Sequence, residues 1–353
     1  MKKSSRMKVF KPVLIVVGLL FMVANWSFAA SSVQKIVLKY GSYGVRVAHD
    51  EPLIWWADEV SRRSGVKIEF EFYWAEALAK AADSVDALGV GAYDVGWLSP
   101  IFTPGKMPYL AVANSTPLTT SDLEVICAAY DELSRSGPSK AEYEQANLKF
   151  LHSYGVWDYS LIGVKPVKSL ADVKGYRSRT FGYFSIPWKE LGGVPISMAM
   201  PEVYSSFQSG LLDGALQDPS TFVKAKYYEV AKHYTSINFG CLPGPFAMNV
   251  KKWNSLPPDV QKVMLEVSQE MPRHTLRITG KAQSEAMGEL KQKGVQFYEL
   301  PAADKERLKT LAKDKIWEEI AVSIDTKGLP GTKAMDAWIE LVKKYEAEKA
   351  KRK

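Results

Sequence analysis

Leu170 to Pro219 reads LADVKGYRSRT (170–180), FGYFSIPWKELGGVPISMAM (181–200) and PEVYSSFQSGLLDGALQDP (201–219). Leu170–Gly175 has the look of a short helical turn stopped by a glycine, which takes positive φ at little cost. Tyr176–Thr180 predicts a short strand with Arg177 and Arg179 on one face, because strand side chains alternate. Trp188, Leu191 and Val194 suit a helix stopped at Gly192-Gly193, and Val194-Pro195-Ile196 starts another strand. Pro201-Glu202 opens a helix on which Val203, Phe207, Leu211 and Leu212 recur at helical spacing, with Gly214 as its stop. Ala215–Gln217 then forms a strand running into Pro219. Strand–helix–strand–helix–strand is a pair of βαβ units, and small ligands bind at the strand-end loops of such sheets.

The ordered pieces L-A-D-V-K-G-x-R-x-R, L-G-G-V-P-I, P-E-V-Y-x-x-F-Q-x-G and L-D-G closely resemble the solute-binding proteins of TRAP (tripartite ATP-independent periplasmic) transporters. Lys251–Pro258 resembles the same family's N-K-x-x-W-D-x-L-P segment, and weaker likeness covers nearly the whole chain after residue 29. The resemblance implies an α/β, two-lobed periplasmic binding protein of type II-like architecture, with a long helix spanning both lobes and a ligand cleft closed by a hinge. It also implies a small-molecule carboxylate as ligand, membrane transporter subunits as partners, and no catalysis, cofactor or metal.

Residue by residue, Arg179 falls where the family pairs an arginine with the ligand carboxylate. A planar guanidinium suits that bidentate contact, and a buried one needs an anion; the alternative is a structural pair between strands. Arg177 reads as the solvated member. Gln217 stands where relatives carry a ligand-bonding asparagine, and Asp213 reads as a turn residue. Met200 stands where relatives are often aromatic, while Tyr204 is either pocket wall or core. Trp74 replaces a polar loop of the family and Trp97 lies at a strand end, so both point to an apolar or aromatic ligand body. Asp158 and Tyr159 stand where some relatives have a second arginine, which argues against a sugar acid needing two. Asp158 is offered for an amine or hydroxyl.

Residues 1–29 read as a secretory signal. Lys2, Lys3, Arg6, Lys8 and Lys11 precede the apolar run 12–23, and Ser27-Phe28-Ala29 is a cleavage-like site. The 353-residue chain carries 46 basic and 39 acidic residues, and the signal takes five of the basic ones, so residues 30–353 are near +2. That balance gives no case for nucleic acid, and a monomer in the periplasm is expected. Cys127 and Cys241 are favoured as two separate buried thiols over a bridge, and neither has a His or Cys at metal-ligand spacing. The histidines are His49, His152, His233 and His274, without an HExxH motif. A secreted enzyme is the rival class, opposed by the lack of GxSxG, Walker or CxxC patterns. A binding protein feeding a sensor is a third.

Along the chain, 33–40 and 66–73 alternate as strands around a helix from Glu51 to Ser64. Residues 81–88 form a helix, and 102–118 read as a Pro-rich loop. Helices follow at 121–134 and 139–145, then a strand at 150–154. Phe222–His233 reads as helical, 234–250 as an extended return, and 260–293 as one long helix kinked at Pro272. The expected first lobe is 30–156 with 245–283 returning to it. The second is 157–244 with 284–345 packed on it, and 346–353 form a solvated basic tail.

Overall fold

The computed structural model describes residues 35–46, 50–198 and 200–352; the signal reading and His49 lie outside the described residues. From Lys35 the chain runs β1 (Ile36–Gly41), α1 (Glu51–Arg63), β2 (Ile68–Tyr73), α2 (Ser84–Val90) and β3 (Val95–Trp97). Helices α3 (Pro108–Ser115), α4 (Leu123–Arg135) and α5 (Gly137–Gln145) lead to β4 (Leu148–Val156). Next come β5 (Ser160–Gly163), β6 (Arg177–Thr180), α6 (Ser185–Glu190), β7 (Val194–Ser197), α7 (Val203–Gln208) and β8 (Gly214–Gln217). The return runs through α8 (Pro219–Lys224), β9 (His233–Ser236), β10 (Leu242–Asn249), α9 (Val250–Ser255) and α10 (Pro258–Gln292). β11 (Gln296–Glu299), α11 (Ala302–Leu311), α12 (Trp317–Asp325) and α13 (Gly331–Ala350) complete the described chain.

Two sheets carry these strands, in the orders β2-β1-β3-β10-β4 and β11-β9-β5-β8-β6-β7. The chain crosses from the first sheet to the second between β4 and β5, and returns between β9 and β10. The quoted stretch supplies the parallel trio β8-β6-β7, linked by α6 and α7 as its periodicity predicts. One stop differs: α7 ends before Gly210, whose φ of 71° is left-handed, whereas Gly214 opens β8.

Helix α10 runs 35 residues with Pro272 inside it, a length of roughly 50 Å at 1.5 Å per residue. Its first half buries Val260, Met264, Val267 and Met271 and accepts the Trp56 indole N–H on Ser268 Oγ (3.0 Å). Its last turns bury Leu290 in the cluster that holds Ile162 and Ala215 of the second sheet.

Three expectations fail for physical reasons. The Pro-rich stretch contains α3, whose Pro108 sits in the first turn, where no donor is lost. Its free Tyr109 and Leu110 N–H groups donate to Glu142, 33 and 32 residues on. Phe222–His233 is not one helix; α8 stops at Lys224 and His233 already pairs in β9. Residues beyond 330 pack on the first lobe: Trp338 and Val342 of α13 join the cluster of Tyr130 and Leu133 of α4. The basic tail continues α13 and is ion-paired, Lys349 to Asp122 (2.7 Å) and Glu124 (2.9 Å), Arg352 to Glu124 (2.8 Å). Cys127 and Cys241 are separate buried thiols. No helix among the described residues is long and apolar enough to cross a membrane.

Candidate functional site

Between the two sheets lies a cavity of about 360 Å³, within the ~300–1,000 Å³ of small-molecule sites. Its walls come from the carboxyl ends of parallel strands in both lobes, where α/β sheets place their ligands. Tyr43 follows β1, Ala75 and Glu76 follow β2, and Trp97 and Ser99 end β3. From the second lobe come Arg179 and Phe181 at the end of β6, Met198 and Met200 after β7, and Gln217 at the end of β8.

Arg179 is 8 % exposed, and none of the ion pairs among the described residues involves it. Its guanidinium reaches only the Met198 and Leu216 carbonyls, at 3.4 and 3.5 Å, the outer limit of hydrogen bonding. Cζ lies 4.8 Å from the Phe181 ring centroid. Burial pushes its pKa down from the ordinary guanidinium range, while Tyr159, Tyr227 and Tyr43 oppose that shift. Burying a cation held this loosely carries a desolvation cost that an anion would offset.

Arg177 is the contrast. It binds Asp213 through Nε (3.0 Å) and Nη2 (2.9 Å), with Lys165 on the same carboxylate at 3.0 Å. The hydrogen bonds from Arg177 hold the Asp213 carboxyl well below the usual carboxylate range. Asp213 is therefore the structural anion of the β6–β8 pair, and Arg177 is its solvent-facing partner, with 41 % of its side chain exposed.

Gln217 is buried; its Nε2 lies 3.6 Å from Met200 Sδ, and its Oε1 has no hydrogen-bond partner among the described residues. Aromatic rings make the rest of the lining. Tyr43 stacks on Trp97 (centroids 6.0 Å, 25°) and meets Phe102 edge-on at 5.5 Å. Trp97 lies flat against β10 because Gly244 has no β-carbon; one there would stand 2.5 Å from the indole.

Trp97, Arg179, Met200 and Gln217 thus converge on one cavity. Trp74, Asp158 and Tyr204 do not line it. Trp74 stacks on Phe72 (5.8 Å, 3°) and packs on Tyr40 (5.0 Å), leaving Ala75 and Glu76 at the cavity. Asp158 accepts from Ser121 Oγ (2.7 Å) and Gly240 N (2.8 Å), tying one interlobe crossing to the other. Burial raises its pKa to about 6. The Tyr204 hydroxyl donates to Glu229 (2.7 Å). Sequence reasoning missed Asp50, Phe102 and Phe181 as cavity walls; of these only Phe181 directly follows a strand, the one signal available. Among the described residues, no cluster of His, Cys, Asp and Glu could hold a metal ion.

A ligand-sized cavity between the strand ends of a two-lobed α/β fold is an architecture suited to holding a small solute. A family model described as bacterial extracellular solute-binding protein, family 7, matches residues 51–323, and the chain belongs to that family. It is 25 % identical over 271 residues to the C4-dicarboxylate-binding periplasmic protein of Rhodobacter capsulatus, covering 73 % of this chain and 75 % of that one. A Sulfitobacter solute-binding protein is 31 % identical over 129 residues, 36 % of this chain and 39 % of its own length. Among solved structures, a TRAP solute-binding protein from Rhodoferax ferrireducens in complex with copurified benzoate shares the fold. It has a TM-score of 0.79 at 20 % identity, covering 88 % of this chain and 99 % of that one. A marine metagenome TRAP protein specific for aromatic acids, in complex with metahydroxyphenylacetate, gives 0.79 at 22 % identity over the same shares.

Proposed function

We propose that this chain is a periplasmic receptor that captures a monocarboxylate with an aromatic or hydrophobic body and delivers it to TRAP-type membrane subunits. One observation carries the reading. Arg179 is a buried cation outside the described ion pairs, set in a cavity lined largely by aromatic and apolar side chains. A carboxylate offsets the guanidinium's desolvation through charge-assisted hydrogen bonds, while Tyr43, Trp97, Phe102 and Phe181 receive an apolar body. Gln217 would fix orientation by hydrogen bonding. The two interlobe crossings, tied by Asp158, form the hinge about which the lobes close. The uronates and dicarboxylates named for some relatives are poorer matches to these walls. Export through residues 1–29 would place the receptor in the periplasm.

The test is a tryptophan-fluorescence titration of residues 30–353 with benzoate and, in parallel, with succinate. Benzoate should bind and perturb the emission, because Trp97 lines the cavity. Binding of succinate alone, with the emission unchanged, would overturn the reading.

A further inference from the structure

A primary amide can offer a ligand either a donor or an acceptor, and at Gln217 the choice is made by Met200. A thioether sulfur has lone pairs and no hydrogen to give, so the amide atom that faces it is Nε2, at 3.6 Å from Sδ. Met200 is itself held, because the Tyr227 hydroxyl donates to its carbonyl at 3.3 Å. With Nε2 taken up by the sulfur, the amide oxygen Oε1 is left buried and without a donor among the described residues. Gln217 is only 6 % exposed and lines the ligand cavity. A buried acceptor there calls for a hydrogen from the ligand.

The place of that acceptor relative to Arg179 follows from the sheet. β6 and β8 pair in parallel with Arg179 opposite Ala215, so Gln217, two residues on, projects from the same face. Both head groups also end against the chain that leaves β7: Arg179 Nε at the Met198 carbonyl (3.4 Å), Gln217 Nε2 at Met200 Sδ. The guanidinium only donates and Oε1 only accepts. A bare carboxylate answers the first and brings no hydrogen for the second. An ammonium beside the carboxylate would bring one, but it would stand next to the buried guanidinium as a like charge. A neutral hydroxyl meets both demands. We propose that the acid is a 2-hydroxy acid: its carboxylate pairs with Arg179, and the hydroxyl on the neighbouring carbon donates to Gln217 Oε1. Met200 is the positioning residue that keeps the amide oxygen turned to the ligand. This inference rests on the aromatic-acid reading above and names that acid's second functional group.

Calorimetric titration at pH 7 with phenylacetate, the two enantiomers of mandelate, phenylglyoxylate and 3-hydroxyphenylacetate tests it. The better mandelate should bind wild type about tenfold or more tightly than phenylacetate, the scale of one buried acceptor satisfied. Phenylglyoxylate, whose 2-oxo group only accepts, should bind no better than phenylacetate. In Gln217→Leu the mandelate advantage should vanish while phenylacetate still binds. In Met200→Leu the amide is free to turn, so the gap between mandelate and phenylglyoxylate should narrow several-fold. The hydroxyl is overturned if neither mandelate outbinds phenylacetate, the result expected where a water fills the place, or if phenylglyoxylate matches mandelate. Tighter binding of 3-hydroxyphenylacetate than of mandelate overturns its position beside the carboxylate. An unchanged gap in Met200→Leu overturns the part given to Met200. The wild-type ratios decide the hydroxyl even where a variant fails to fold. If none of these acids binds wild type, the aromatic-acid reading falls first, and the 2-hydroxy acid with it.

Discussion

Replacing Arg179 by Met separates ligand binding from stability. At a concentration a hundredfold above the dissociation constant, a ligand adds about 2.7 kcal/mol to the folded state. An unfolding entropy of roughly 2.1 cal/mol/K per residue, taken over about 320 residues, converts this into a rise of about 4 °C in Tm. Losing one partner of a buried charge pair costs about 2–5 kcal/mol, a weakening of thirtyfold or more. At the same ligand concentration the added stability then drops below about 1 kcal/mol. The unliganded protein should respond differently. Among the described residues Arg179 gives up no carboxylate partner, only two long contacts to carbonyls and the face of the Phe181 ring, while Met ends the burial of a charge. Its Tm should stay level or rise. Differential scanning calorimetry of both proteins, with and without benzoate, reads all four values. A ligand-induced shift that survives in Arg179→Met refutes the carboxylate role. An unliganded Tm lower by several degrees shows that the arginine is structural.

Two further outcomes are expected. Gly244→Ala drives a β-carbon to 2.5 Å from the Trp97 indole; it should cost about 1–3 kcal/mol in urea denaturation and weaken benzoate binding as the ring shifts, and wild-type values for both would show that the ring yields freely. His152 is buried beside Phe246 (centroids 4.7 Å), and burial lowers its pKa to about 3. The unfolded chain takes up a proton below about pH 6.5 that the folded chain refuses, so stability falls as pH drops from there toward 3, by at most about 1.4 kcal/mol per pH unit. His152→Leu should flatten that slope in denaturation series from pH 7 to 4, and an unchanged slope would assign the acid sensitivity to other groups.

Elements whose signal is local could be read from the chain. Helix α10 shows its 3.6-residue period over 35 residues, with Pro258 in its first turn. Trp188, Val203 and Phe207 gave away α6 and α7 in the same manner. Helix α3 was hidden because Leu110, Ala111, Val112 and Ala113 are all buried, so it has no polar face, and Glu142 caps it from a distant helix. Arg179, Gln217, Trp97 and Met200 were legible because each sits at or just beyond a strand end. Trp74 was misplaced by one pleat: it turns toward Tyr40 and Phe72, and its successor Ala75 meets the cavity. Asp158 looked available because its partner, Gly240, is 82 residues away. Asp50 drew no notice because the cavity it lines is made by folding alone.

The ion-paired last turn of α13 has a practical consequence. Lys349 and Arg352 hold that turn to the start of α4, so a dye at Lys351 would ride with the first lobe. Val194, 44 % exposed on the outermost strand of the six-stranded sheet, would carry a second dye with the other lobe. Both native cysteines are buried, so cysteines introduced at these two positions could be labelled selectively. A donor–acceptor pair placed there turns lobe closure into an optical signal and makes the receptor a frame for a reagentless sensor of its acid.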